Sequence, residues 1–225
     1  LAGTRQVMPE ANLMPDNIVS VWSGIRPLVA DGSGRASKEL SRKDEVWVSS
    51  SGMLSVGGGK LSAYRAMAER IVDQVVEANG FTAAPCQTAE VALPGGGTAT
   101  PLTGDWSAVA MERIQRLYGS EAQQVASATS TDLVAAEVSQ AVLAEGALRL
   151  EDYWARRSSR AWFDEEAGLP ILAQAAHAMG ALLNWDATRE ASEIENCLAI
   201  DTASRAGYAN QHYVEDITDA HRKAS

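Results

Sequence analysis

An α+β fold is what this sequence predicts: a few short strands, one long helix, then an all-helical C-terminal domain. Three observations carry that expectation. Runs rich in β-branched and aromatic residues are confined to the first sixty positions. The apolar period then switches from two to three-and-four just past Lys60. Beyond a stretch rich in proline and glycine at residues 81–104, only the helical period remains.

The elements follow in order. NIVSVW, residues 17–22, reads as a strand partly buried on both faces, ended by Gly24 and Pro27. Residues 31–44 are polar and glycine-bearing, a loop. EVWVS (45–49) and MLSV (53–56) read as short strands around a Ser-Gly turn. Leu61, Tyr64, Met67, Ala68, Ile71, Val72, Val75 and Val76 line one face of a helix that stops near Asn79-Gly80. The linker 81–104 separates a region 1–80 from a helical domain 105–225. In that domain Asp105 is the expected cap of a helix through Leu117, and a shorter helix follows from Ser120. Thr131 is the expected cap of the next, through Ala144. Helices are also expected over 151–162, 169–185 and 186–206, with a polar, fraying tail after that.

Composition narrows the function. Apolar residues make up 46% of 225, enough for a real core. The net charge of −10 is unevenly placed: residues 1–80 hold 9 Lys+Arg and 9 Asp+Glu, residues 81–225 hold 10 and 20. An acidic helical half repels phosphate backbones, so no nucleic acid partner is expected. Two distant cysteines, Cys86 and Cys197, fit a reducing compartment and form no metal-ligand pattern. The most apolar helix, 169–185, carries Gln174, His177 and Asn184 and so reads as buried, not membrane-spanning. The chain opens on Leu1 in mid-flow, without a signal peptide, and reads as the second half of something larger.

Chemistry concentrates in the neutral region. SVGGGKLSAYR, residues 55–65, brings three glycines and a lysine to the start of a helix. Backbone N–H groups without a blocking Cβ, next to the positive end of a helix, suit an anion or a carbonyl oxygen. A tight strand-to-helix turn accounts for the same glycines, and neither the dinucleotide fingerprint nor the P-loop spacing is present. In WSGIRPL, residues 22–28, Arg26 sits on a stiff turn where a guanidinium could grip a phosphate or carboxylate, or bond loop carbonyls. Arg42, read alone, is a solvated charge.

In combination these motifs resemble the FAD-dependent glycerol-3-phosphate dehydrogenases. The likeness runs through IVSVWSGIRPLV, SRKDEVWVSSSGMLSVGGGKLSAYRAMAERIVD, VALPGGG, LYGSEAQQV, AAEVSQAVLAEGALRLEDYWARRSSRAWFDE and ALLNWDATREASEIE, over roughly residues 12 to 206. It implies the C-terminal portion of such an enzyme, lacking the N-terminal half with the FAD-binding fingerprint. The strands would then complete the sheet of an FAD and substrate domain. It further implies that Gly58, Gly59, Lys60, Leu61 and Ser62 lie along the flavin's pyrimidine edge. Arg26 would face substrate above the ring, and Arg42 and Lys60 would add charge near the substrate phosphate. No residue here is assigned as a catalytic acid or base: His177, His212 and His221 match no family motif. Ala63 stands where the family has a second threonine, a loss of about 1 kcal/mol if it costs one hydrogen bond. The implied reaction oxidises sn-glycerol 3-phosphate to dihydroxyacetone phosphate and passes electrons to a quinone. The implied location is cytoplasmic with peripheral contact to the inner membrane, and the chain alone would be inactive. Two other readings stay open: a helical docking or oligomerisation module without catalysis, and a related FAD-dependent amine or amino-acid oxidase.

Overall fold

A β-hairpin that runs into a single helix, and a separate array of packed helices, make up the computed structural model. It describes residues 2–11, 14, 17–22, 29, 44–129 and 131–223. The chain divides into two compact units, one of residues 24–93, the other of 1–23 with 94–225.

In the first unit β1 (Asp44–Val48) pairs antiparallel with β2 (Leu54–Gly58), with Val46 opposite Val56 and Asp44 opposite Gly58. The turn closes because Ser49 bonds both ways. Its amide donates to the Met53 carbonyl at 2.9 Å, its hydroxyl accepts from the Met53 amide at 3.0 Å, and Gly52 takes a φ of 83°. Helix α2 (Tyr64–Asn79) follows a 3-10 turn over Leu61–Ala63. It ends as expected: Gly80 turns left-handed at φ 63°, and the Phe81 amide reaches back to the Val76 carbonyl at 3.0 Å. An ion pair between Asp44 and Arg70 ties β1 to α2. No residue of α2 is buried.

The second unit begins with α1 (Ala2–Val7). Residues 17–22, expected as a strand, form none. Instead Ser20 donates its hydroxyl to the Trp162 carbonyl, and the Trp22 ring lies 5.1 Å from that of Trp162. Side-chain anchoring onto the helices has replaced ladder pairing, so this segment groups with the helices rather than with the hairpin.

Helix α3 (Ala108–Tyr118) is capped by Ser107, whose hydroxyl accepts from the Ala110 amide at 3.2 Å. The expected cap, Asp105, lies two residues too early, since buried Trp106 intervenes. Next come α4 (Ala122–Ala126) and α5 (Leu133–Leu143). Asp132, and not Thr131, caps α5 by accepting from the Ala135 amide at 3.0 Å. The helix expected over 151–162 is broken. Residues Asp152–Arg157 form a π-helical turn, and α6 (Arg160–Phe163) starts after Ser159, whose φ is 56°. Ser158 causes the break by donating its hydroxyl to the carbonyls of Tyr153 and Trp154, in competition with the ladder.

Residues Glu166, Ala167 and Gly168 are left-handed, so α7 (Leu172–Leu183) starts later than the period suggested. Asn184 ends it at φ 56°. Helix α8 (Ala187–Lys223) continues through the tail that was expected to fray. Two cores result. The larger holds Trp154, Leu172, Met179 and Cys197, with Trp162, Leu169 and Trp185 packed against it; the smaller holds Leu102, Trp106, Ile114 and Val125.

Candidate functional site

The candidate residues Gly58, Gly59, Lys60, Leu61 and Ser62 form one continuous corner between β2 and α2. Gly58 and Gly59 take φ of 77° and 84°, a region side-chain-bearing residues rarely enter. Lys60 then returns to an extended backbone and no side chain caps the helix behind it. The first amides of a helix have no intrahelical acceptor. Here they begin at Leu61, whose side chain is 88% exposed. Lys60 and Ser62 are exposed as well.

The floor of this corner is filled. A Cβ at Gly57 would stand 3.0 Å from the Cη2 and Cζ3 atoms of Trp47; one at Gly59 would stand 2.8 Å from Met67 Sδ. Packing against Trp47 therefore favours glycine at 57, and the positive φ with Met67 close by favours it at 59, whatever the corner meets on its other side. What remains is a set of main-chain donors with a lysine, backed by the positive end of a 16-residue helix. That donor set fits an oxygen-rich ring edge that gains negative charge on reduction. Arg26 and Arg42 lie outside the described residues.

The sequence gives neither Trp47 nor Met67 a site role: Met67 reads as part of the apolar face of its helix and Trp47 as part of the EVWVS strand. Nor does it give a role to a buried polar cluster in the helical domain. Glu137 is fully buried on α5. It accepts from Arg113 Nε at 2.5 Å, pairs with Arg160 at 2.9 Å, and accepts from the Tyr153 hydroxyl at 2.7 Å. Asp164 completes it, 2.6 Å from Arg160. The signal was available: Glu137 falls on the same helical face as Val134 and Ala141. No buried side-chain polar atom of the cluster lacks a partner, so it reads as architecture. Burial, then the charge of Glu137, pushes the Tyr153 hydroxyl well above its ordinary range.

Fold and corner together define an α+β protein with a helical domain of its own. Residues 86–190 match the family of the C-terminal domain of alpha-glycerophosphate oxidase. The mitochondrial glycerol-3-phosphate dehydrogenases of Mus musculus and Rattus norvegicus are each 31% identical over 231 residues, covering 91% of this chain and 31% of theirs. The aerobic glycerol-3-phosphate dehydrogenase of Staphylococcus aureus USA300 is 44% identical over 94 residues, 40% of this chain and 17% of that protein. The chain thus spans under a third of the length of these relatives. The structure of glycerol-3-phosphate dehydrogenase from Bacillus halodurans, complexed with FAD, shares the fold. Its TM-score is 0.66 at 22% identity, over 91% of this chain and 44% of that one.

Proposed function

We propose that this chain acts as part of an FAD-dependent glycerol-3-phosphate dehydrogenase, oxidising sn-glycerol 3-phosphate to dihydroxyacetone phosphate. The 31% identity to the mitochondrial enzymes over 91% of the chain carries the reading. Bound FAD would supply the hydride acceptor. The residues of this chain bind and orient. Main-chain donors from Gly58 to Ser62 hold the pyrimidine edge, and the start of α2 favours the charge that builds there on reduction. Arg26 and Arg42 grip the substrate phosphate, with Lys60 as a further positive charge. A polypeptide bearing the G-x-G-x-x-G fingerprint, which these 225 residues lack, is the required partner. A quinone as electron acceptor and a cytoplasmic location with peripheral contact to the inner membrane belong to the same proposal.

Mixing the chain with a fingerprint-bearing polypeptide from such a relative, plus FAD, should restore dye reduction by glycerol 3-phosphate. In the assembled enzyme Arg26→Ala should raise KM for glycerol 3-phosphate far more than for glycerol; equal losses would remove the phosphate role. One observation favours a second reading, a helical module that folds and docks without catalysis: both buried cores lie in the unit holding the helical domain. An assembly that stays colourless with FAD would favour that module.

A further inference from the structure

The corner at Gly57–Lys60 is held from below on both sides of Gly58. Trp47 reaches diagonally from β1 to lie against Gly57, and Val29 Cγ2 would stand 3.4 Å from a Cβ there. Met67 comes from the first turn of α2 to press its sulfur against Gly59, with Asp44 Cβ close beside it. Among the described residues, neither side chain belongs to a buried hydrophobic cluster. Trp47 is 45% exposed, and Met67 belongs to a helix with no buried residue. Each occupies the space that a Cβ would need on one of the two glycines whose backbone sets where the next amides point.

We propose that Trp47 and Met67 are positioning residues: they fix the direction of the donors from Lys60 to Ser62 and, through them, the grip on the flavin. The inference rests on the flavin reading given above. Removing either support lets the corner relax toward the vacated side. Main-chain donors fixed from below cost little reorganisation when a ring edge arrives, and loose ones lose that advantage.

Two measurements test it on Met67→Ala and Trp47→Leu, with Met67→Leu as the conservative variant. The first is tryptic cleavage after Lys60 in the free chain. It should speed up about tenfold in Met67→Ala and Trp47→Leu, while cleavage after Arg113 is unchanged. The second is FAD affinity and flavin reduction potential in the chain assembled with a fingerprint-bearing polypeptide. Affinity should fall about tenfold, the worth of about one hydrogen bond, and the potential should drop because the reduced, negatively charged ring edge loses more than the neutral one. Met67→Leu should behave as the parent. Unchanged cleavage overturns the proposal, and so does faster cleavage with parental affinity and potential. A parent assembly that takes no FAD is a separate failure: it removes the flavin reading and the ligand half of this one, while cleavage still decides whether the two side chains set the corner.

Discussion

Gly119 and Gly95 meet backbone to backbone. The amide of Ser120 donates to the Gly95 carbonyl at 3.0 Å, and a Cβ on Gly119 would run into that same oxygen. The PGGG run is thereby pinned to the C-terminal end of α3. Gly119→Ala should cost more than about 2 kcal/mol in urea unfolding, since it meets both a φ of 50° and a rigid carbonyl. Gly146→Ala is the control. Its φ is 68° but nothing lies within 4 Å, so only the conformational cost of about 1 kcal/mol is expected.

Glu137→Ala should destabilise the helical domain by about 3–5 kcal/mol, because two guanidinium groups lose their buried partner. Arg205→Ala removes an exposed pair with Asp201 and should change stability by under about 1 kcal/mol. Equal effects in thermal melts would mean that the Glu137 cluster is not desolvated as described.

How much of this was legible beforehand differs by element. The hairpin and α2 could be read because alternation, the Ser-Gly turn and Gly80 agree with each other. The break at Ser158–Ser159 could not, because it depends on a hydroxyl finding carbonyls that only the π-turn presents. Residues 17–22 looked like a strand by composition, yet distant Trp162 decides their conformation. Within the candidate site the glycines and Lys60 stood out in the sequence. Trp47 and Met67 did not: Met67 reads only as part of the apolar face of its helix and Trp47 only as a strand residue, and a contact against a glycine adds nothing to either pattern.

Stability should fall as pH rises from 9 toward 12. Burial, with Glu151 and Glu193 nearby, pushes the Cys197 thiol from 9.0 up to about 12. Burial likewise raises the Tyr118 hydroxyl above its usual 10.0. Folded-state values above unfolded ones mean that the folded chain holds more protons in this window. The stabilisation is complete below pH 9 and is lost with rising pH. Cys197→Ala should flatten part of that slope in urea titrations at several pH values. A flat profile in the parent would contradict the burial of these groups.

Thiol counting gives a simpler reading of the same core. Both cysteines are free, Cys86 exposed and Cys197 buried. A thiol reagent at pH 8 should modify one group per native chain and two in denaturant. Two fast native groups would place Cys197 outside the core.

Hydrogen exchange should separate the two units. Amides of α2, which buries no residue, should exchange on the order of a hundredfold faster than those of α5 and α7, whose inner faces are closed off.

The same method reaches the flavin question. Exchange over residues 55–65 is to be followed in the assembled protein with and without FAD. Protection centred on Gly58 to Ser62 is the expected result. FAD bound with the amides of Lys60 to Ser62 as fast as before would show that the glycine corner holds no flavin.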